Sequence, residues 1–461
     1  MDILDENEKL EDWDKRYIWH PFTQMKDWQS EKPIIISEGR DCFLKDIKGR
    51  WYLDGVSSLW VNIHGHRKKE LDNAVKGQLD RVAHCTLLGL SSVPAIRLAE
   101  RLVGVIASTL GHSLNKVFYS DNGSTAVEAA LKMAFQYWTH KGVTGKTAFV
   151  SIKNGYHGDT LGAVSVGGID LFHKTFEPLL FKTYKAPSPY CYRCEFGLKP
   201  EDCGLRCLDG LEKILKRHSK KIAALIIEPI VQAAGGMIVS PPGYLKGVRE
   251  LCTKYEILMI ADEVATGFGR TGKFFACQHE SVVPDILCLS KGITGGYMPL
   301  AATIATTEIY NAFLGEYGEL KTFFHGHSYT GNPLACACAL ACLDVFEKER
   351  TIEAMRPKIK MLDDWLGEIS GLSHVGEARG KGLMAGVELV KNKKTKEPYD
   401  FKKRMGWRVT LRAREDGVLI RPLGNVIVVM PPLSIGQENL GRMLDVIKDS
   451  IAEATRTGTR K

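Results

Sequence analysis

The sequence predicts an α/β protein: a large domain with a mainly parallel sheet between helices, and a smaller α+β domain assembled from both termini. Three observations predict it. Short, nearly continuous apolar runs alternate with longer helical patterns through the middle of the chain, as expected of a parallel sheet buried on both faces. The flanks instead carry hairpin-like and mixed segments. A chain of 461 residues is long enough to bury one large core and a second, smaller one.

The elements follow in chain order. Residues 1–64 read as a helix and then a hairpin, IIISEG followed by DCFLKDIKGRWYLDG, and form the N-terminal part of the small domain. The large domain is expected over 65–335. Its strands are KVFYS (116–120), TAFVSI (147–152), AALIIEPI (223–230), ILMIADEV (257–264) and DILCLS (285–290). Helical patterns lie between them, notably STAVEAALKMAFQYW (124–138) and GYLKGVRELCTKY (243–255). A long helix over 332–350 leads into the C-terminal part of the small domain, 336–461, with strands in GLMAGVELV (382–390) and NVIVVMPP (425–432). No internal repeat or low-complexity segment interrupts the pattern.

Composition excludes several classes of function. Hydrophobic residues make up 44% and charged residues 25%, the balance of an ordinary globular enzyme. A net charge of +8 over this length is a mild bias, and the short basic runs Arg67-Lys68-Lys69 and Lys391–Lys394 read as solvated surface. No nucleic-acid partner is expected. No apolar stretch approaches the roughly 18 residues of a membrane span. The acidic opening MDILDENEKLEDWDK lacks the apolar core of a secretory signal. Twelve cysteines, among them Cys336, Cys338 and Cys342 in an apolar run, predict reduced core thiols and a cytoplasmic protein.

The chemistry lies at strand ends. Lys291 closes the run DILCLS, and Asp262 closes LMIAD. In a parallel sheet both point their carboxyl ends the same way, toward the crevice where open α/β sheets bind ligands. A third strand ends at Asp121-Asn122, followed by Gly123-Ser124-Thr125 and a helix, a turn whose N–H groups and hydroxyls suit a phosphate. Singly, each has a plain structural reading: a strand-end lysine, a capping aspartate, a common turn. Together they are what pyridoxal phosphate needs, namely an amine for its aldehyde, a carboxylate for its ring nitrogen and a helix N-terminus for its phosphate. Tyr156, just past a strand end in NGYHGDT (154–160), supplies an aromatic face. Burial would lower the pKa of Lys291 and favour its nucleophilic form.

A second constellation is CYRCEFGLKPEDCGLRC. Cys191, Cys194, Cys203 and Cys207 form a Cys-x2-Cys and a Cys-x3-Cys separated by eight residues, four soft ligands at a spacing that fits a small structural zinc knuckle loosely. Four reduced thiols, or a redox-sensitive pair, are the alternatives.

The block from Met259 to Gly296 (MIADEVATGFGRTG, then PDILCLSKGITGG) resembles the class III, or ω-, aminotransferase signature of fold type I pyridoxal-phosphate enzymes. The resemblance runs through WHPFTQM (19–25), GVSSLWVNIHGH (55–66), NGYHGDT, EPIVQAAGGM (228–237), FHGHSYTGNPLACA (324–337) and RPLGNVIVVMPP (421–432). The first, second and last of these are similar to one branch, the 8-amino-7-oxononanoate aminotransferases of biotin biosynthesis. The resemblance implies that Lys291 anchors the cofactor covalently and then carries protons. It implies that Asp262 pairs with the pyridine N–H and that Tyr156 stacks on the ring. Gly123 and Ser124 would bind the phosphate, joined by His327 and Ser328 of the second subunit of a homodimer. Arg421 would pair with the substrate carboxylate, and Trp60 and Gly326 would line the channel. A surface arginine and a core tryptophan are the plain readings of Arg421 and Trp60.

Two positions depart from members that use S-adenosylmethionine as amino donor. Leu59 stands where they have the first of two tryptophans, and Phe22 stands where they have a tyrosine. Losing an aromatic face and a hydroxyl weakens recognition of a sulfonium-bearing donor, so L-lysine is a rival donor. Ala265, three residues after Asp262, replaces the glutamine of many class III enzymes and argues against a 4-aminobutyrate or ornithine aminotransferase. The rival functions are a broader ω-amino acid or diamine aminotransferase, a glutamate-1-semialdehyde-type aminomutase, and a catalytically silent homologue acting as a binding protein.

Overall fold

The computed structural model describes residues 6–457. The first five residues of the acidic opening and the last four of the chain lie outside them. At its centre is a seven-stranded sheet with the order Leu114–Ser120, Ala301–Thr306, Ile286–Leu289, Leu258–Asp262, Ile222–Ile227, Ala148–Ile152, Tyr184–Ala186. Six strands run one way. Ala301–Thr306 alone opposes them, pairing antiparallel with both neighbours. The inner strands are apolar on both faces because helices cover both: all six residues of Ile222–Ile227 and all four of Ile286–Leu289 are buried.

The predicted strands and helices of this layer are all present, with ends shifted by a few residues. Two strands are unread in the sequence: Ala301–Thr306, because AATIAT carries small residues and follows a glycine-rich turn, and the three-residue edge strand Tyr184–Ala186. The helix Gly123–His140 packs beneath the sheet. On the other side Pro333–Lys348 packs against Lys69–Leu79, Val93–Leu110 and the 3-10 turn Lys291–Thr294. Its cysteines are part of that packing. Cys338 and Cys342 are buried, and each Sγ donates to a carbonyl of that turn, Thr294 O and Gly292 O, at 3.5 Å.

The flanks build two further sheets. The strands Ile36–Arg40, Phe43–Asp46 and Trp51–Asp54 form an antiparallel meander, and Val418–Leu419 joins it in parallel beside Trp51–Asp54. The second is formed by Val375–Lys381, Met384–Asn392, Val426–Val429 and Pro422–Leu423, with the short strand Glu397–Pro398 pairing to Met384–Asn392. Residues from both ends of the chain therefore meet in one sheet. No helix among the described residues is long and apolar enough to cross a membrane.

Candidate active site

Beyond the carboxyl ends of Leu258–Asp262 and Ile286–Leu289 lies a cavity of about 450 Å³, the position at which open α/β sheets bind ligands. Lys291, Asp262, Tyr156, Gly123, Ser124 and Trp60 line it together. Lys291 follows its strand after Ser290 and takes φ 45°. Burial lowers the pKa of its amine, while the carboxylates of Asp262 and Glu228 pull the other way. Its Nζ stands 4.9 Å from the centre of the Trp60 ring.

Asp262 is buried at the floor. Its Oδ1 accepts the Val264 N–H at 3.0 Å, and its Oδ2 lies 2.7 Å from His157 Nδ1. His157 is buried as well, and its Nε2 has no partner among the described residues. Glu228 completes a cluster of buried ionisable groups, accepting the N–H groups of Tyr156 and Ala233 at 2.9 Å each. Burial pushes its carboxyl up to about 7, against the attraction of His157 and with the repulsion of Asp262. The Tyr156 hydroxyl donates to Asp159 Oδ2 at 2.7 Å, and burial raises its pKa well above the usual value of 10.0.

The helix Gly123–His140 starts with a capping box in which Asn122 accepts the Thr125 N–H. The Gly123 and Ser124 N–H groups belong to the first turn, which has no intrahelical acceptor for them, and both residues face the cavity. A Cβ on Gly123 would sit 2.6 Å from Val264 Cγ1, so no side chain fits between this turn and the sheet. Ser124 Oγ accepts the Asp159 N–H at 3.0 Å.

Trp60 reaches the cavity by an unusual route. Ser57, Ser58, Leu59 and Trp60 all have positive φ, at 51°, 48°, 69° and 71°, which makes one left-handed helical turn without a glycine. Such a conformation costs an L-residue roughly 1–2 kcal/mol each. Ties at both ends hold it: Trp60 N–H to Val56 O at 2.8 Å and Val61 N–H to Ser57 O at 3.0 Å, and Ser57 Oγ to Met430 O at 2.6 Å.

Other expected residues lie outside the cavity wall. Leu59 is on the same turn, about half exposed. Phe22 packs edge-on against Phe172 at 5.4 Å, and Phe172 against Tyr156 at 6.2 Å, so an aromatic row leads from Phe22 to the cavity. The Arg421 guanidinium reaches the Phe22 carbonyl at 3.5 Å. Burial lowers its pKa, and among the described residues no carboxylate compensates. His327 Nε2 lies 3.5 Å from Asp121 Oδ1, a residue of the cavity rim, and Gly326 and Ser328 flank it in the same loop.

The zinc expectation at Cys191, Cys194, Cys203 and Cys207 is corrected. All four are free, partly buried thiols, and no three His, Cys, Asp or Glu side chains among the described residues converge to hold a metal. Cys191 Sγ turns to Pro189 O and Cys203 Sγ to Pro200 O. Burial raises the pKa of Cys191 and pushes that of Cys207 up to about 11.

His157 and Glu228 had no role assigned from the sequence. Both stood in quoted motifs, NGYHGDT and EPIVQAAGGM, but only the fold shows that they face Asp262 and the Tyr156 backbone.

The family described as aminotransferase class III matches residues 24–451. The chain is 56% identical over 451 residues to the adenosylmethionine-8-amino-7-oxononanoate aminotransferase of Geobacter sulfurreducens, covering 98% of this chain and 99% of that one. The crystal structure of the adenosylmethionine-8-amino-7-oxononanoate aminotransferase from Methanocaldococcus jannaschii is similar with a TM-score of 0.92 at 48% identity, covering 97% and 99% of the two chains. A PLP-bound amine transaminase from an uncultivated Pseudomonas species is similar with a TM-score of 0.90 at 39% identity, covering 95% and 99%.

Proposed function

The chain belongs to the pyridoxal-phosphate-dependent class III aminotransferases, and from that membership we propose that it aminates 8-amino-7-oxononanoate to 7,8-diaminononanoate, a step of biotin synthesis. The observation that carries the reading is the meeting of Lys291, Asp262, Gly123, Ser124 and Tyr156 in one cavity in a chain similar over nearly its full length to enzymes named for that reaction.

The residues fit the cofactor. One amine, one buried carboxylate and the open first turn of a helix face a common space, and Gly123 leaves no side chain in that turn's path. When bound, pyridoxal phosphate supplies the electron sink that lets an amino group leave one carbon skeleton and join another. Lys291 would anchor the cofactor covalently and, once released, its amine would take the proton from, or return it to, the substrate carbon that bears the amino group. Asp262 holds a proton on the ring nitrogen, and His157 fixes the orientation of that carboxylate. Gly123 and Ser124 hold the phosphate, completed by His327 and Ser328 of the second subunit of a homodimer. Tyr156 covers the ring. Trp60 and Gly326 shape the channel, and Arg421 takes the carboxylate of the keto acid with its two-pronged guanidinium.

The donor supported by the relatives' names is S-adenosylmethionine. A second reading, L-lysine, is favoured by Leu59 and Phe22, which offer neither the second indole nor the hydroxyl at the entrance. The experiment is a donor half-reaction. Purified holoenzyme is mixed separately with each donor, and the visible band of the bound cofactor is followed. Bleaching by S-adenosylmethionine alone supports the first reading. Bleaching by lysine alone replaces it with the second. If neither donor bleaches the band, and no diaminononanoate forms from the keto acid, the proposed reaction is wrong.

A further inference from the structure

We propose that Asp54 is a positioning residue of this active site: it holds the left-handed turn Ser57–Trp60 in place and thereby keeps the Trp60 indole over Lys291. The inference rests on reading Lys291 as the cofactor anchor, but not on the identity of either substrate.

Asp54 ends the strand Trp51–Asp54 and is 1% exposed. Its backbone is fixed from both sides. Its N–H donates to Cys42 O at 2.8 Å, and the strand pairs with Phe43–Asp46 on one edge and Val418–Leu419 on the other. The carboxylate is therefore delivered from a rigid element. It grips the turn twice through one residue: Oδ1 accepts the Ser58 N–H and Oδ2 accepts the Ser58 hydroxyl, both at 2.8 Å. The His66 ring nitrogen Nε2 lies 3.1 Å from the same Oδ2 and keeps that oxygen directed.

Ser58 is the second of the four left-handed residues, at φ 48° and ψ 47°. An L-residue leaves this region readily unless its surroundings hold it there. The Ser57 hydroxyl is tied to Met430 O, before the turn's midpoint, and the carbonyls of Trp60 and Asn62 receive Arg270 Nη2 after it. Among the described residues only Asp54 holds Ser58 itself by its side chain, so it is the tie that fixes the rotation of the turn's middle. Two residues on, the indole of Trp60 stands 4.9 Å from Lys291 Nζ, so its ring face bounds the space around that nitrogen. A turn that relaxed toward right-handed or extended backbone would swing that indole away from the amine.

The test pairs hydrogen exchange with steady-state kinetics on full-length holoenzyme. In Asp54→Asn only one of the two side-chain termini can accept, so the amide cannot receive the Ser58 N–H at one end and the Ser58 hydroxyl at the other as the carboxylate does. The expected result is at least about tenfold faster exchange of a peptide spanning 55–64, the effect of losing about one hydrogen bond to a charged acceptor. Peptides spanning 222–227 and 258–262 should keep their wild-type rates. Turnover is expected to fall about tenfold with KM changed less, because the defect lies at the reacting amine. Ser58→Ala removes one of the two bonds to the turn and should shift the same peptide in the same direction by a smaller factor. This milder variant decides the matter if Asp54→Asn does not fold. Unchanged exchange over 55–64 in Ser58→Ala, or in a folded Asp54→Asn, overturns the proposal. Equal acceleration in the central-sheet peptides overturns it too, since Asp54 would then only stabilise the fold.

Discussion

His157 Nδ1 lies 2.7 Å from Asp262 Oδ2, with both side chains buried beneath the cavity. The contact joins a residue just past the end of Ala148–Ile152 to the end of Leu258–Asp262, two strands separated in the sheet by Ile222–Ile227. A buried carboxylate without such a partner would be costly, and in the proposed function Asp262 is the carboxylate that faces the ring nitrogen of the cofactor.

His157→Phe should therefore lower kcat/KM by roughly tenfold to a hundredfold, the scale of one lost hydrogen bond to a charged group. His157→Asn, which keeps an N–H donor in reach, should recover part of that. Steady-state kinetics of the two variants, with cofactor content measured alongside, checks the order. A His157→Phe enzyme as active as wild type would remove the histidine from the site's function.

Glu228 makes a prediction about pH. Its folded pKa, about 7, lies above the ordinary 4.5 because burial disfavours the charge. Between those values the folded protein binds the extra proton, so this group's contribution to stability is full below about 4.5 and is lost as pH rises through 7. The displacement corresponds to on the order of 3 kcal/mol. Glu228→Gln, which cannot ionise but keeps only one of the two oxygens that accept the Tyr156 and Ala233 N–H groups, should be less stable than wild type near pH 5, and its deficit should shrink or reverse near pH 8. Urea unfolding of the cofactor-free protein at both pH values measures this. A variant whose deficit does not shrink as pH rises contradicts the assignment.

Much of this site could be read from the sequence, for a physical reason. Lys291 and Asp262 sit at the carboxyl ends of near-continuous apolar runs, and a parallel sheet brings such ends together without further information. Gly123-Ser124 was legible from the strand-to-helix turn that contains it. His157, Glu228 and Asp54 were not, because their roles depend on which strand lies beside which, and chain-local pattern does not carry strand order. The same limit hid Ala301–Thr306. Its antiparallel place between Leu114–Ser120 and Ile286–Leu289 is set by partners distant in sequence. The four-cysteine spacing failed in the opposite way: spacing fixes how far apart thiols are along the chain, but not whether they turn toward a common point or, as with Cys191 and Cys203, toward backbone carbonyls.

Arg421 is exposed, and among the described residues its one side-chain hydrogen bond is long, to Phe22 O at 3.5 Å. Such a group gains from an incoming carboxylate. Arg421→Ala should raise KM for 8-amino-7-oxononanoate by about 10- to 100-fold, with kcat changed less because the carboxylate end is remote from the reacting carbon. Arg421→Lys should recover little, since an ammonium lacks the planar fork. If Arg421→Ala leaves KM unchanged, the arginine is an ordinary surface residue.

Lys291 is the residue on which the opposite demands of stability and chemistry fall. Its amine is held among buried groups, and burial lowers its pKa although Asp262 and Glu228 favour the ammonium. The sign of the stability effect follows from proton binding. The unfolded chain holds this proton up to about 10.5 and the folded chain releases it earlier, so folding gains stability as pH rises toward that value. Replacing the amine removes a cost that is present near neutrality and fades in alkali. Cofactor-free Lys291→Met should melt at or above the wild-type temperature at pH 7, and the gap should close by about pH 10. The same variant should lose turnover by a thousandfold or more, on the order expected when both a nucleophile and a proton carrier are removed. Thermal melts across pH and a single-turnover assay measure the two halves. A Lys291→Met protein that is both less stable at pH 7 and still active would show that the lysine is a packing residue, and that the site's chemistry lies elsewhere.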